Sequence, residues 1–387
     1  MPHAGKTCIT FCIPNMIIGG VETVFVQTLD KLARNDDFEI NVLMHCAPSE
    51  PMFNNWFATH PNIKLHIVTP LARFNKVLEP YTSIFPLKNI RRSVFSLYRK
   101  YCCFVLRHSS LFRNTDVFID YKNFAFYKEL LHCKQRKIAF WHSSFDYFTQ
   151  YNRIKYISEY DTLVCLSDEF KSDFETCFPD YANKVVRIYN PLDITSIRKN
   201  STKIPKKYGK YFCSVGRLDS DKDPATILRA FELFYTNEHR PDVKLLLVGD
   251  GELRSDLEKI AKSMQSGKQI VFVGSVSCPF GYMRGAMAHI LSSFGEGFGM
   301  VLVEAAAVGT LNISSRCKSA PSEILENGAG GILFTPGNEI ELAQAMSDVY
   351  NKRIDITGMK AQATRGLARF QYDTIIQQIT ELLRGHK

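Results

Sequence analysis

The chain alternates apolar runs with glycine-containing loops and helical patterns, and this alternation constrains the fold most. Residues 7–13 form an apolar run, and Gly19 and Gly20 lie in the loop that follows. Residues 21–34 then place apolar side chains at helical spacing, and residues 39–45 form the next apolar run. A strand, a crossover helix and a second strand make a βαβ unit, which predicts a parallel sheet.

The same alternation returns in the second half of the chain. The patterns predict strands at 211–215, 244–248 and 270–273, with helices at 224–234 and 253–264 between them. The polar, basic stretch that separates the two halves contains Pro191 and Pro205, which is typical of a linker.

These patterns predict an α/β protein of two doubly wound, Rossmann-like domains that face each other across a cleft. A length of 387 residues suits two domains. We expect one domain over residues 1–190, a linker over 191–210 and a second domain over 211–365. Residues 366–387 are expected to form a C-terminal helix that packs back on the first domain. In such sheets, ligands bind beyond the carboxyl ends of the strands.

The net charge of +9 is concentrated in one segment of the first domain. Between Lys64 and Arg113 there are ten Lys or Arg residues and a single acid, Glu79, so the rest of the chain is neutral. A local excess of this kind predicts an anionic partner. Nucleic acid is not expected, because no nucleic-acid-binding motif accompanies the charge.

Within this segment, residues 89–108 have the pattern of a basic amphipathic helix. Apolar residues recur on one side, and basic residues fall on the other side: Val94, Leu97, Tyr98, Tyr101 and Val105 against Arg92, Arg99, Lys100 and Arg107. Such a helix can lie on an anionic membrane or meet an anionic acceptor. It can equally pack on its domain and leave a basic face in solvent.

The chain begins without a secretory-signal pattern and has no apolar run of 18 residues, so we expect a cytoplasmic protein, free or at the inner face of the cell membrane. The eleven cysteines are then expected to be reduced thiols. Their spacings do not match a structural zinc site, and no metal is expected.

Three features of the second domain suit an anionic ligand. Arg217 and Lys222 place two cations on one short loop after a strand, as a pyrophosphate leaving group requires; a solvated loop is the alternative. Residues 293–300 contain three glycines and lead into a helix, which suits an anion site or an ordinary turn. Glu296 on that loop could accept sugar hydroxyls. Glu304 in the helix could accept ribose hydroxyls or be a helix-surface acid.

Together with neighbouring residues, these motifs resemble glycosyltransferase family 4, whose members have the GT-B fold and retain the anomeric configuration. The resemblance covers about residues 210–335. It rests on five segments: Ser214 to Leu218 with Lys222 and Asp223, Val248 to Leu253, Phe272 to Gly274, Glu296 to Gly299, and Glu304 with Ala305. In the first half it rests on Gly19 to Glu22 and on Trp141 with His142.

The resemblance implies a role for each matching position. Arg217, Lys222, Gly19 and Gly20 would bind the donor diphosphate. Glu296 and His142 would act at the reacting centre, and Glu304 would hold the ribose. Backbone groups would contact the donor sugar and distal phosphate at Gly297, Phe298, Gly299, Met300 and Val301, and the base at Gly274, Ser275 and Val276.

The expected activity is therefore retaining transfer of a hexose or N-acetylhexosamine from a nucleotide diphosphate sugar, with UDP favoured, to a glycan or glycolipid. The product would belong to surface polysaccharide or lipopolysaccharide, and neither a cofactor nor a metal is expected. Two alternatives remain open: a sugar-nucleotide epimerase on the same fold, and a non-catalytic nucleotide-binding subunit of a glycosyltransferase complex.

Overall fold

The frame of the molecule is a pair of parallel sheets, seen in a computed structural model that describes residues 5–16, 19–68, 97, 99–239 and 242–385. The strands of the first sheet are β1 (Thr7–Ile13), β2 (Phe38–Met44), β3 (Ile63–Ile67), β4 (Val117–Asp120), β5 (Arg136–Phe140), β6 (Thr162–Cys165) and β7 (Val185–Arg187). Those of the second are β8 (Lys210–Val215), β9 (Val243–Val248), β10 (Ile270–Gly274), β11 (His289–Leu291), β12 (Asn312–Ser315) and β13 (Ile332–Phe334).

The strand orders are β3-β2-β1-β4-β5-β6-β7 and β10-β9-β8-β11-β12-β13. In both sheets the chain starts in the middle, builds towards one edge and returns to build towards the other. The order reverses between β1 and β4, and again between β8 and β11. This confirms the prediction of two doubly wound domains, and each reversal point opens a crevice for a ligand.

Helices connect the strands and cover the sheets. In the first domain they are α1 (Gly20–Leu32), α2 (Pro51–Thr59), α3 (99–107), α4 (Ser110–Asn114), α5 (Tyr127–Leu130), α6 (Phe145–Gln150) and α7 (Asp168–Cys177). They continue as α8 (Ile194–Asn200), α9 (Pro224–Glu238), α10 (Arg254–Ser263), α11 (Phe280–Gly285), α12 (Met300–Ala307), α13 (Ala320–Ile324), α14 (Glu339–Tyr350), α15 (Ile356–Gly366) and α16 (Tyr372–Arg384). In the described part of the chain, no helix is long and apolar enough to cross a membrane.

The chain crosses between the domains twice, and the two crossings lie side by side. The Leu192 amide donates to the Phe370 carbonyl at 3.0 Å. Helix α16 then packs on the first domain, where the Arg136 guanidinium donates to the Leu382 carbonyl at 2.7 Å and Lys31 pairs with Asp373 at 2.9 Å. Helix α16 therefore packs as part of the first domain, although it follows the second domain in the sequence.

Helix α3 is oriented differently from the prediction of a solvated basic face. Arg99 forks onto the buried Glu129 carboxylate at 2.9 and 3.1 Å, and Arg107 donates to the Glu129 carbonyl at 3.2 Å. Arg99 turns inwards because the buried Glu129 carboxylate needs a partner, and Arg107 turns inwards to donate to backbone carbonyls. Lys100 is exposed. Four apolar side chains are also exposed, and we call them the apolar stripe: Leu97, just before the range given for α3, and Tyr101, Phe104 and Val105. Residues 89–96 and 98 of the predicted helix lie outside the described residues.

Candidate active site

The centre of the site in the second domain is an ion pair between two predicted residues. The Lys222 Nζ lies 2.5 Å from Glu296 Oε1, and Ser293 Oγ donates to the same oxygen at 2.6 Å. Glu296 is 8% exposed, and the Lys222 side chain is one-quarter exposed. Both donors bind Oε1. The other carboxylate oxygen, Oε2, makes no hydrogen bond to the described residues.

The loop after β8 carries the second predicted cation. Asp219 organises this loop, because its carboxylate accepts from the Lys222 amide at 3.1 Å and pairs with Arg217 at 3.0 Å. The Arg217 side chain remains 68% exposed. Close packing of the neighbouring loop requires glycine at 249, where a Cβ would lie 1.8 Å from the Gly216 carbonyl oxygen.

The glycine-rich loop leads into α12 as predicted. Gly299 caps this helix in the left-handed region (φ 89°), and no side chain caps the first amides. Phe298 is buried and packs against Tyr189 and Phe370, with ring centroids 5.8 and 5.5 Å away. Its side chain therefore anchors the loop to the crossing point, while the backbone from 297 to 301 remains the part suited to a ligand.

Glu304 lies one turn further along α12. Its carboxylate makes no hydrogen bond or ion pair to the described residues, and burial raises the pKa of Glu304 to about 7. Glu304 is half-buried, and a partly desolvated carboxylate without a partner is costly, so two vicinal hydroxyls would satisfy it. At the neighbouring edge, Gly274 (φ 86°) accepts from the Gly249 amide at 2.9 Å, while Ser275 is exposed and Val276 half-buried.

The first domain contributes His142, just beyond β5. Its ring packs on Tyr121 with centroids 4.9 Å apart, and its amide donates to Asn123 Oδ1 at 2.7 Å. Burial, helped by the charge of Lys122, lowers the pKa of His142 to about 3. Neither ring nitrogen has a hydrogen-bond partner among the described residues. Burial therefore favours the neutral imidazole, whose ring nitrogens can form hydrogen bonds with a ligand.

The two halves of the site touch at Gly297. A Cβ at this position would lie 1.9 Å from the His142 carbonyl oxygen, so only glycine permits the approach. The neighbouring Gly295 has more room, with Ser144 Oγ at 3.6 Å from its Cβ position. The structure thus brings His142 and the Glu296 loop together, although they come from different domains.

A second ion pair was missed by the sequence reasoning. Lys122 Nζ lies 2.5 Å from Glu22 Oε1, and the Glu22 side chain is only 3% exposed. Glu22 stands in the first turn of α1, directly behind Gly19 and Gly20, with Oε2 2.8 Å from the Cβ position of Gly19. The signal available was the polar sequence Lys122-Asn123 just after β4, at the carboxyl edge where ligands bind.

Comparisons with known proteins identify similar sequences and similar folds. Residues 195–365 match the family described as "Glycosyl transferases group 1". An uncharacterized glycosyltransferase of Methanocaldococcus jannaschii is 25% identical over an alignment 267 positions long, which covers 60% of this chain and 65% of that protein. The chain therefore spans slightly less than two thirds of that relative.

A second relative is matched along most of its length. It is a Campylobacter jejuni α-1,4-N-acetyl-D-galactosaminyltransferase whose name gives a diphospho-undecaprenol-linked glycan, and it is 25% identical over 89% of both chains. Among solved structures, Anabaena HepE in complex with UDP superposes with a TM-score of 0.75 at 18% identity. That superposition covers 98% of this chain and 100% of HepE and supports the same two-domain fold.

Proposed function

We propose that this chain, whose residues 195–365 match the group 1 glycosyl transferases, transfers a hexose or N-acetylhexosamine from a UDP-sugar to a glycan or glycolipid. The observation that carries this proposal is the Lys222–Glu296 pair, set beside a glycine-rich helix start and touched by the His142 loop. The UDP complex of HepE and the N-acetylgalactosaminyltransferase name of the Campylobacter relative support the choice of donor.

The donor would lie with its diphosphate against Lys222, Arg217 and the backbone at the start of α12. Cations and helix amides stabilise the negative charge that develops on a leaving diphosphate. Gly19 and Gly20 at the start of α1 would close on the phosphates from the other domain. Glu304 would accept from the ribose hydroxyls, and the backbone of 274–276 would meet the base.

We propose that transfer proceeds with retention. The bond between the anomeric carbon and the β-phosphate oxygen breaks, and the diphosphate takes its electron pair. The acceptor oxygen then bonds to the same carbon and its proton passes to the departing phosphate. Glu296 Oε2 would hold sugar hydroxyls, and the neutral His142 ring would hydrogen-bond the sugar from the opposite side.

The acceptor we propose is membrane-linked, as a step of surface polysaccharide or lipopolysaccharide synthesis in the cytoplasm. The support is the apolar stripe of α3, with Leu97 70% and Tyr101 64% exposed, next to the exposed Lys100. Apolar and aromatic side chains flanked by positive charge suit the interface of an anionic membrane. The contact side is thus the apolar stripe, since Arg99 and Arg107 are occupied within the domain.

Flotation with vesicles tests this membrane contact. Tyr101→Ser with Phe104→Ser should weaken binding to vesicles that contain anionic lipid. The matched control is Ile340→Ser on α14, a residue 72% exposed in the other domain. Equal flotation of both variants and the unmodified protein would refute the contact.

The donor is tested with a panel of nucleotide sugars. Thermal shift finds which one stabilises the protein, and release of nucleotide diphosphate then measures turnover for the unmodified protein, Lys222→Ala and Glu296→Ala. We expect one UDP-sugar to stabilise the protein and to be turned over slowly. Conversion of the donor without diphosphate release would instead indicate an epimerase, and no stabilisation by any donor would indicate a non-catalytic subunit.

We also propose that no metal is required, because Lys222 and Arg217 supply the positive charge at the diphosphate. Activity should persist after treatment with EDTA. Complete loss of activity, restored by Mg²⁺ or Mn²⁺, would show that the two cations do not suffice.

A further inference from the structure

The chain exposes two tyrosines just beyond His142. Tyr147 lies on α6 and Tyr151 follows this helix; their side chains are 39% and 48% exposed, and their ring centroids are 4.4 Å apart. On the inner side of α6, Phe145 and Phe148 are buried in a cluster of phenylalanines. The helix therefore directs its phenylalanines inwards and presents paired aromatic rings to solvent.

These two rings belong to a longer row of side chains, which we call the tyrosine ladder. The ring of the buried Trp141 lies 6.0 Å from that of Tyr147. The Arg153 guanidinium lies 5.7 Å from the Tyr151 ring and 5.9 Å from the Tyr156 ring. At the far end, the rings of Tyr156 and Tyr127 are 4.1 Å apart. The ladder thus consists of Tyr147, Tyr151, Arg153, Tyr156 and Tyr127.

Each end of the ladder meets a part of the molecule already given a role. At the near end, Trp141 directly precedes His142, and Ser144, which caps α6, stands 3.6 Å from the Cβ position of Gly295 in the catalytic loop. At the far end, Tyr127 opens α5, the helix whose Glu129 holds Arg99 of α3. The ladder therefore runs from the reaction centre towards the apolar stripe.

The chemistry of the ladder suits a chain of sugars. A pyranose ring has an apolar C–H face and a polar rim, and tyrosine offers a flat apolar face with a hydroxyl at its end. The Tyr147–Tyr151 and Tyr127–Tyr156 rings pack against each other in tilted pairs, and Arg153 lies near Tyr151 and Tyr156, so these side chains lose little conformational freedom when a ligand binds. Tyr147 and Tyr151 are exposed and Tyr156 and Tyr127 are half-buried, so the ladder presents a contiguous aromatic surface of the kind that can mark a binding site.

We propose that the tyrosine ladder binds an oligosaccharide part of the acceptor, several sugar units away from the hydroxyl that reacts. The enzyme then selects acceptors that already carry a glycan, rather than a single sugar. This inference rests on the proposed transferase function. It adds to that function a subsite on the first domain and the class of molecule that fills it.

The test uses the full chain and an array of immobilised linear oligosaccharides, one to six hexose or N-acetylhexosamine units long. Oligosaccharides of at least three units should bind, and Tyr147→Ala with Tyr151→Ala should weaken that binding about tenfold. Tyr147→Phe with Tyr151→Phe keeps the ring faces and should retain most of the affinity. Tyr208→Ala, which removes a half-buried tyrosine within the linker, is the control and should bind normally.

Two results would overturn the inference. One is an array on which the unmodified protein binds no oligosaccharide, and the other is unchanged binding by the double alanine variant. Failure of the inference is separable from failure of the transferase function, because UDP-sugar binding and its slow hydrolysis do not use the ladder. Both activities should be equal in the double alanine variant and the unmodified protein, which also shows that the variant is folded.

Discussion

Each domain holds one Lys–Glu pair at the point where its strand order reverses, and the two pairs invite comparison. In the second domain, Lys222 follows β8 and Glu296 follows β11; in the first, Glu22 follows β1 and Lys122 follows β4. The separations are both 2.5 Å, and each lysine is about one-quarter exposed over a nearly buried carboxylate. In the second domain the lysine comes first along the chain and the glutamate second, whereas in the first domain the glutamate comes first. The two pairs therefore share a position in the sheet topology but not a sequence pattern.

The difference lies in what surrounds each carboxylate. Glu296 also accepts from Ser293 and stands on an irregular loop, with Oε2 left over for a ligand. Glu22 stands in the first turn of a regular helix, against Gly19. We infer that the Lys222–Glu296 pair acts on the donor directly, whereas the Lys122–Glu22 pair fixes the loop that closes on the donor. The following predictions separate these two roles.

The largest effect is expected at the second-domain pair. Glu296→Gln keeps the shape of the side chain but removes the charge that holds Lys222, and turnover should fall on the order of 10² to 10³-fold. Stability should change little, because a neutral amide can still accept from Ser293. Steady-state kinetics and urea unfolding of the same preparation measure both. A large loss of stability with normal turnover per folded molecule would assign this pair a structural role.

The close approach of the two domains is disrupted most directly at Gly297. Gly297→Ala places a methyl group against the His142 carbonyl, and the resulting displacement should reduce kcat about 10²-fold. Gly295→Ala is the matched control, since its Cβ has ordinary contact distances. Similar kinetics for the two variants would mean that the contact at Gly297 is not needed for turnover.

At the first-domain pair we expect a larger effect on stability than on turnover. Lys122→Ala leaves Glu22 buried without its cation and should lower the free energy of unfolding by about 2 kcal/mol, less than for a fully buried pair because Lys122 is partly exposed. Glu22→Gln in the same chain should recover part of that loss. Chemical unfolding of both single variants and the double variant measures the coupling. Additive effects would show that the two side chains do not interact.

The last prediction concerns pH. The pKa of Glu304 is about 7 in the folded protein, raised from an ordinary 4.5, so the folded state holds a proton that the unfolded chain has released between these values. The contribution of protonated Glu304 to the stability of the folded protein is complete below about pH 4.5 and is lost as the pH rises through 7. Relative to Glu304→Gln, the unliganded protein should lose thermal stability between about pH 5 and pH 8. Parallel melting curves for the two proteins would contradict this.

The sequence predicted the parts of this comparison that depend on local pattern. The strands around Gly19 and Lys222 are visible as apolar runs, and the motif spacing located Glu296 and Glu304. It did not predict that Lys122 pairs with Glu22, because the two are 100 residues apart and only the sheet order makes them neighbours. The orientation of α3 was also missed. An amphipathic pattern defines two faces of a helix, but the buried Glu129 decides which face turns inwards.

The packing of α16 on the first domain has a consequence for how the chain is made. Arg136 at the start of β5 and Lys31 near the end of α1 find their partners at Leu382 and Asp373. During translation these partners leave the ribosome only after the whole second domain. The first domain must therefore wait, with part of its surface uncovered, while the second domain and α16 are synthesised. It reaches its full stability only after α16 has emerged, although its own strands emerge before those of the second domain.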